Sequence, residues 1–356
     1  MMNRYYFYPF ILCMLVNTIF YVPVILVEYR FQGAWLAILF AIVFGSTLAY
    51  LFTRTMRQFP GQGLPEIFEQ RLPVMLSSVI SFSLGLLWIV AGGVVLIAFS
   101  YIAKMFLNPS IPIEQLLFCL IIVSCYAATR STAAINYLSE IILIFILPIV
   151  VFILFKALQS ETFEWNAIMV TTEYIFEIPS WNTLATAMFC FTGYMTLIVL
   201  NRFFTWRISL THFWLVPVTG AITLVSTFLI PIGIHGTQAV ENYLYLWVNT
   251  VDSLRMEFGF IERVVFYYLM VYVAVSLLFI SMSWHIGTEL VSSIFRGQSK
   301  RYRWIIVGVV GIATWWYGRL TNEKQLIMVA EQWFMIRFMM ELLLVLLMVL
   351  IGRRKQ

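Results

Sequence analysis

Two apolar stretches of the sequence each contain a polar interruption near the middle. The first stretch, residues 6–27, contains Val16-Asn17-Thr18 followed by Pro23, and the second, residues 181–201, contains Thr192-Gly193. Polar side chains and glycine weaken a helix locally, and the half-helix ends freed by a break carry partial charges that suit a zwitterionic or anionic ligand. The alternative is that these are packing residues of ordinary membrane helices and that the proline only kinks its helix.

A candidate pocket follows from the depth of the polar, small and aromatic residues within these two stretches and two others. Asparagine and threonine offer donors and acceptors for an amino or carboxyl group, and aromatic rings could close over a ligand. Packing inside a helix bundle is the alternative role for each residue. The candidates are Asn17, Thr18, Tyr21, Gly92 (or Gly93 beside it), Thr192, Gly193, Tyr194, Tyr272 and Ser276.

Ionisable residues inside or beside the apolar stretches are further candidates. Glu341 lies midway along the last stretch, where a carboxylate is costly unless it is functional or paired, and Arg337 precedes it by one helical turn. We therefore predict a structural Arg337–Glu341 pair, with a proton relay as the alternative. Glu140 is predicted to reach the membrane interface. Glu262 and Arg263 are predicted to form a gate, a subunit contact or an ordinary interfacial pair.

Neither the cysteines nor the histidines form a metal or catalytic motif. The four cysteines lie in apolar stretches without CxxC spacing, and the three histidines show no HExxH pair. No nucleophile–base pattern appears, so the sequence predicts neither an enzyme nor a cofactor. The only aspartate, Asp252, lies in a predicted loop, which gives ion coupling little support.

The amino-acid composition indicates which kind of secondary-structure element positions these residues. The chain has 356 residues, 62% of them hydrophobic and 11% charged, with a mean hydropathy of +0.91. Soluble domains are typically about 25% charged, which excludes a soluble enzyme, a disordered chain and a nucleic-acid-binding protein. The sequence predicts an all-α membrane protein with ten transmembrane helices, at about residues 6–27, 32–52, 79–104, 113–130, 135–158, 181–201, 210–232, 263–284, 303–318 and 333–351.

The charge distribution orients the predicted helices. With the N-terminus in the cytoplasm, 14 of the 22 lysines and arginines fall on the cytoplasmic side, as the positive-inside rule favours. Both termini are then cytoplasmic, and the loops at 159–180 and 233–262 face outward. Ten helices divide into two halves, residues 1–158 and 159–356, which must enter the membrane in opposite directions because five is odd. The sequence thus predicts two inverted five-helix repeats within a single transmembrane domain.

Five short motifs occur in order along the chain: Gly33-Ala34-Trp35, Phe59-Pro60, Leu64-Pro65-Glu66-Ile67-Phe68-Glu69, Trp247-Val248-Asn249 and Gly259-Phe260-Ile261-Glu262-Arg263. In order and spacing they resemble the endospore germination permeases, the B subunits of nutrient germinant receptors in the amino acid–polyamine–organocation (APC) superfamily. The resemblance implies an APC-type fold and a subunit in the spore inner membrane, working with an A-type membrane subunit and a C-type lipoprotein. Such a subunit would bind a nutrient, often an amino acid, and trigger germination.

The sequence departs from that family at two places. The family commonly has glycines where this chain has Val16-Asn17-Thr18, and often an acidic residue two positions after Gly193, where this chain has Met195. The predicted site is therefore less charged. Three functions stay open: a receptor subunit that senses a nutrient, an active amino acid transporter, and a scaffold subunit whose pocket no longer binds. The sequence does not name the nutrient.

Overall fold

Most of the residues that the structure describes are helical. A computed structural model describes residues 4–106, 108–205, 208–255, 263–295 and 300–353. Within these ranges an isolated antiparallel bridge, between Arg255 and Arg263, is the only strand-like pairing. The α-helices are α1 (Arg4–Val16), α2 (Val22–Glu28), α3 (Ala34–Phe40), α4 (Ser46–Met56), α5 (Leu64–Arg71), α6 (Val74–Phe106), α7 (Ile113–Ala128), α8 (Thr132–Leu158), α9 (Trp165–Thr172), α10 (Trp181–Met188), α11 (Leu197–Leu200), α12 (Leu215–His235), α13 (Leu246–Asp252), α14 (Val265–Ser293), α15 (Lys300–Leu320) and α16 (Glu323–Arg353).

Seven helical stretches among the described residues are long and apolar enough to cross a membrane, which confirms a multi-pass all-α membrane protein. Three of the ten predicted helices are not among the seven. The first is divided into α1 and α2, α7 has only 16 residues, and α15 carries charged residues at both ends. The seven are Ala34–Met56, Val74–Phe106, Thr132–Leu158, Trp181–Phe203, Leu215–His235, Val265–Ser293 and Glu323–Arg353.

The first apolar stretch is broken where its sequence predicts a break. α1 ends at Val16, residues 17–21 form a turn, and α2 starts at the next residue with Pro23 in its first turn. Proline suits that position because the first N–H groups of a helix have no partner within it. Tyr21 has a φ of 62°, a left-handed conformation that is uncommon outside glycine. The break is therefore defined by two local features, the left-handed backbone of Tyr21 and the proline at the start of α2.

The sixth stretch changes its helix type and does not open. α10 passes into a 3₁₀ helix over Phe189–Thr196, which continues into α11 and a second 3₁₀ turn, Asn201–Phe203. The helix weakened at Thr192-Gly193 that the sequence predicts is present as 3₁₀ geometry, but a break with free half-helix ends is not, because the segment stays helical and buried. The segment packs against α1. A Cβ atom at Gly193 would stand 2.4 Å from the Cα atom of Phe10, so no ligand can approach there.

The ring of Phe191 fixes the 3₁₀ segment between two other helices. A Cβ atom at Gly45 would lie 2.8 Å from this ring, and one at Gly220 would lie 2.4 Å from it. Gly45 ends a π-helical turn, Ala41–Gly45, that separates α3 from α4, and Gly220 lies in α12. Because both positions lack a side chain, the ring can lie between the two helices.

α6 and α14 form the most extensive helix pair of the bundle. A Cβ atom at Gly287 would lie 2.8 Å from the carbonyl oxygen of Gly85, and one at Gly92 would lie 2.6 Å from the ring of Trp284. Small residues at such crossings let two membrane helices approach closely. Close packing against α6 holds α14 in position, and α14 in turn positions the side chains on its other faces.

Candidate functional site

A cavity of about 70 Å³ lies directly beside the break in the first helix. It is formed by α1 and the turn that follows it, together with α8, α12, α13 and α14. We call it the central cavity, and its lining residues are Met14, Leu15, Thr18, Ile19, Val150, Ile153, Leu154, Thr223, Ser226, Thr227, Trp247, Tyr268, Val271, Tyr272 and Val275.

The walls of the central cavity are mainly apolar, and its described lining carries hydroxyl groups but no acidic or basic side chain. The Thr18 hydroxyl donates to the carbonyl oxygen of Leu15 at 3.1 Å. Those of Thr223 and Thr227 donate to carbonyl oxygens one turn earlier in α12, at 2.9 and 2.7 Å. Each hydroxyl oxygen keeps lone pairs that can accept a hydrogen bond from a ligand.

Tyr268 supplies a hydroxyl that the protein does not fully use. Its oxygen is buried next to the hydroxyls of Thr18 and Tyr272, yet it makes no hydrogen bond of normal geometry with any described residue. Its ring centroid lies 4.4 Å from that of Tyr272. A buried hydroxyl without a partner costs roughly 1–3 kcal/mol. Tyr268 is therefore the donor best placed to meet an acceptor group on a ligand.

Trp247 of α13 closes one end of the central cavity. Its indole N–H donates to the carbonyl oxygen of Thr227 at 3.1 Å, and its ring stacks on that of Tyr268 with centroids 6.2 Å apart. The segment before α13 is tied to the end of α2 by an ion pair, with Arg30 Nη2 2.7 Å from Glu241 Oε2. Sequence reasoning noticed Trp247 only as part of a motif and did not single out Tyr268.

A second, smaller cavity, of about 20 Å³, lies around Arg337 and Glu341 of α16, and we call it the ion-pair cavity. Arg337 Nη1 lies 2.6 Å from Glu341 Oε2 and also donates to the hydroxyl of Thr192. Arg337 Nη2 donates to the carbonyl oxygen of Ala185 at 2.7 Å. The two charged side chains are only 3% and 1% exposed, so the predicted structural pair is confirmed. It ties α16 to the irregular sixth helix.

The nine predicted site residues are divided between the two cavities and the packed interior. Thr18 and Tyr272 line the central cavity, and Thr192 lines the ion-pair cavity. The predicted side chains therefore do not converge on one pocket between the first and sixth helices. The other six are buried and line neither described cavity: Asn17, Tyr21, Gly92, Gly193, Tyr194 and Ser276.

Packing accounts for most of these six positions. Gly92 and Gly193 are contact points between helices, as described above. The ring of Tyr194 packs on Phe52, with centroids 5.4 Å apart. The Asn17 amide nitrogen lies 4.0 Å from the sulfur of Cys190, which holds the turn against the sixth helix. These side chains position the elements around the cavities and do not face into them.

Four charged residues form a network near the other end of α14. Glu289 is 5% exposed, and its two carboxylate oxygens lie 2.7 Å from Arg202 Nη1 and 2.9 Å from Arg303 Nη1. Arg202 also pairs with Glu66 at 2.7 Å. The second oxygen of Glu66 accepts the N–H of Gly63 at 2.8 Å and so caps α5. The network joins α5, the end of the sixth helical stretch, α14 and α15.

The remaining charged candidates do not add to the cavities. Glu140 is half-buried and accepts a hydrogen bond from the Tyr5 hydroxyl at 2.6 Å. Glu262 lies outside the described residues, so its predicted role with Arg263 stays a prediction.

Comparison with known protein families identifies one family that matches the chain. The sequence model of one family, described as spore germination protein, matches residues 4–323, nearly the whole chain. No curated protein sequence matches it.

Proposed function

The chain belongs to the spore germination protein family of membrane permeases, and we propose on this premise that it is the integral membrane subunit of a nutrient germinant receptor. A small-molecule nutrient binds in the central cavity, and its binding signals germination. The observation that supports this most is the position of the cavity. It lies where the first helix is broken, with Thr18 and Ile19 of the turn in its wall, and broken helices form substrate sites in many permease folds.

The walls of the central cavity favour a nutrient without net charge that has an apolar part. A ligand with a net charge would meet no oppositely charged side chain in the described lining and would lose its hydration at high cost. A zwitterion has no net charge, and hydroxyl groups can satisfy each of its two charges: its carboxylate can accept from Tyr268, and its ammonium can donate to the hydroxyl oxygens of Thr18 and Thr223. An aliphatic side chain would then contact Val150 and Val271. An aliphatic amino acid is the simplest molecule that satisfies all of these contacts.

α14 is the proposed route from the cavity to the rest of the receptor. It carries Tyr268 and Tyr272 in the cavity wall and Glu289 in the charged network. Seventeen residues separate Tyr272 from Glu289, which is about 26 Å along a helix. A shift of α14 on ligand binding would therefore change the geometry of the bonds to Arg202 and Arg303.

The finer architecture and the assembly are also proposals. The chain forms ten membrane-crossing segments in two inverted five-helix repeats, residues 1–158 and 159–356, with both termini in the cytoplasm. α1–α2, α7 and α15 supply the three segments beyond the seven long ones. Support comes from the bias of basic residues and from irregular helices at matching places in the two halves. In the spore inner membrane the subunit works with an A-type membrane subunit and a C-type lipoprotein.

An active amino acid transporter is the second candidate, and the broken first helix favours it because transporters use such breaks. A non-binding scaffold is the third, favoured by the burial of six predicted site residues away from the cavities.

Binding and uptake measured on the same preparation separate the three functions. Purified protein is reconstituted in liposomes and tested with radiolabelled L-leucine, L-lysine and L-glutamate. The proposal predicts saturable binding of leucine, weak binding of the two charged amino acids, and no accumulation inside the liposomes. Accumulation of leucine would establish the transporter, and the absence of any binding would favour the scaffold.

A further inference from the structure

A polar cleft of about 220 Å³ lies where α4 and α16 end together, and it shares no lining residue with either cavity. Arg54 and Arg353 stand in its walls, together with Thr55 and Gln58. The cleft has no acidic side chain in its described lining. Four arginines, Arg30, Arg202, Arg303 and Arg337, form ion pairs at 2.6–2.9 Å, whereas no described residue forms an ion pair with Arg54 or Arg353.

The floor of the cleft is kept open by a glycine. A Cβ atom at Gly352 would lie 2.9 Å from Thr55 Cγ2 and 3.5 Å from the Gln58 amide nitrogen. A larger residue at this position would therefore crowd Thr55 and Gln58 in the lining of the cleft. The Thr55 hydroxyl is already used, since it donates to the carbonyl oxygen of Leu51 at 3.0 Å. The guanidinium groups are thus the main donors available to an anion in the cleft.

Each arginine continues an exposed stripe of its own helix. On α16, Leu343, Leu346 and Leu350 are 61%, 60% and 50% exposed and precede Arg353 at spacings of three or four residues, which places them on one face. Exposed positions 47 and 50 of α4, and position 43 in the π-helical turn before it, precede Arg54 in the same way. In a membrane protein such stripes face acyl chains, so the arginines lie where those chains meet their headgroups.

We propose that this cleft binds the phosphate of an anionic phospholipid, with Arg54 and Arg353 on the phosphate oxygens and the lipid's acyl chains along the α16 stripe. Arginine suits phosphate because its planar donors match two oxygens at once. Basic pockets between membrane helices are known to select anionic headgroups. A free phosphate ion could bind the two arginines in the same way, but it would not contact the aliphatic stripe on α16. We therefore assign the cleft to a lipid.

The test measures lipid binding to the full-length protein in detergent. Phosphatidylglycerol is titrated while the thermal melting midpoint is followed, with phosphatidylcholine and inorganic phosphate as separate arms, and bound lipids are counted by native mass spectrometry. The variants are Arg54→Gln and Arg54→Gln/Arg353→Gln. Arg71→Gln is the matched control, because it removes the same charge from an exposed helix-end arginine outside the cleft.

We expect phosphatidylglycerol, and not phosphatidylcholine, to raise the melting midpoint of the wild type. Its apparent affinity should fall about fivefold for each cleft arginine removed and less than twofold in the control. The proposal is overturned if the control loses as much affinity as the single cleft variant, or if the double variant binds phosphatidylglycerol like the wild type. Equal protection by inorganic phosphate that also needs both arginines would overturn the lipid in favour of a free anion.

Discussion

Replacing Tyr268 with phenylalanine should weaken ligand binding without weakening the empty protein. The hydroxyl lies in the wall of the central cavity and has no hydrogen bond of normal geometry to a described residue. If it donates to a ligand carboxylate, its loss costs about 1.5–3 kcal/mol, or roughly a 10- to 150-fold rise in the dissociation constant. In the empty protein the same change removes a buried hydroxyl that makes no hydrogen bond of normal geometry to a described residue, so stability should stay equal or rise.

Tyr194→Phe is the matched control for this prediction. The Tyr194 hydroxyl is also buried without a described partner, but it lines neither cavity. Both variants should therefore melt at or above the wild-type temperature, while only Tyr268→Phe loses affinity. Isothermal titration with L-leucine and melting in the same detergent give both quantities. Equal loss of affinity in the two variants, or an unchanged affinity in Tyr268→Phe, would refute the assignment of the cavity.

Three further predictions test the packing around the site and the proposed route through α14. Gly193→Leu should prevent accumulation of the protein in the membrane, because the new side chain would meet the α1 backbone. Gly308→Leu should accumulate normally, because a Cβ atom there meets nothing within 4 Å, and blotting of membranes compares the two variants. Glu341→Leu should destabilise the protein by about 3–5 kcal/mol by leaving the buried Arg337 unpaired, and adding Arg337→Met should restore most of the loss, as read from unfolding in detergent. Glu289→Gln should leave leucine binding within twofold of wild type but blunt the germination response of spores, and normal germination would contradict the route through α14.

The break in the first helix could be predicted from the sequence because its causes are local. Asn17 and Pro23 lie within one apolar stretch, and each disfavours a continuous helix by itself. The Arg337–Glu341 pair was predictable for the same reason, since four residues separate the two in one helix.

The role of Gly193 could not be predicted, because a glycine that opens a helix and a glycine that admits a neighbour look alike in sequence. Only the position of Phe10 against it decides between the two. The charged network was missed for a related reason: Glu289 bonds to Arg202, 87 residues away, and Arg202 bonds to Glu66. No short-range pattern brings these residues together.

Tyr268 and Trp247 were missed as ligand contacts although a signal was present. Trp247 belongs to one of the motifs that carry the family resemblance, yet it lies in a segment that reads as a loop. The structure forms α13 there and turns the indole into the cavity. The signal in the sequence that could have identified these ligand contacts was the presence of aromatic residues in a motif beside a membrane helix.

Met195 occupies the position where the family resemblance leads us to expect an acidic residue. It lines the ion-pair cavity together with Arg337 and Glu341. In this chain the carboxylate that meets Arg337 comes from α16 and not from the sixth helix. The described lining of the central cavity also has no charged side chain, in agreement with a nutrient that has no net charge.

The most direct test of nutrient binding in the central cavity is to find where a bound amino acid lies. A photoactivatable diazirine analogue of leucine is bound to the purified protein, irradiated, and located by peptide mass spectrometry, with and without excess L-leucine. Binding in the central cavity predicts adducts on Trp247 and on the α14 segment from Tyr268 to Val275 that excess leucine removes. Competed adducts confined to the ion-pair cavity, or none at all, would contradict it.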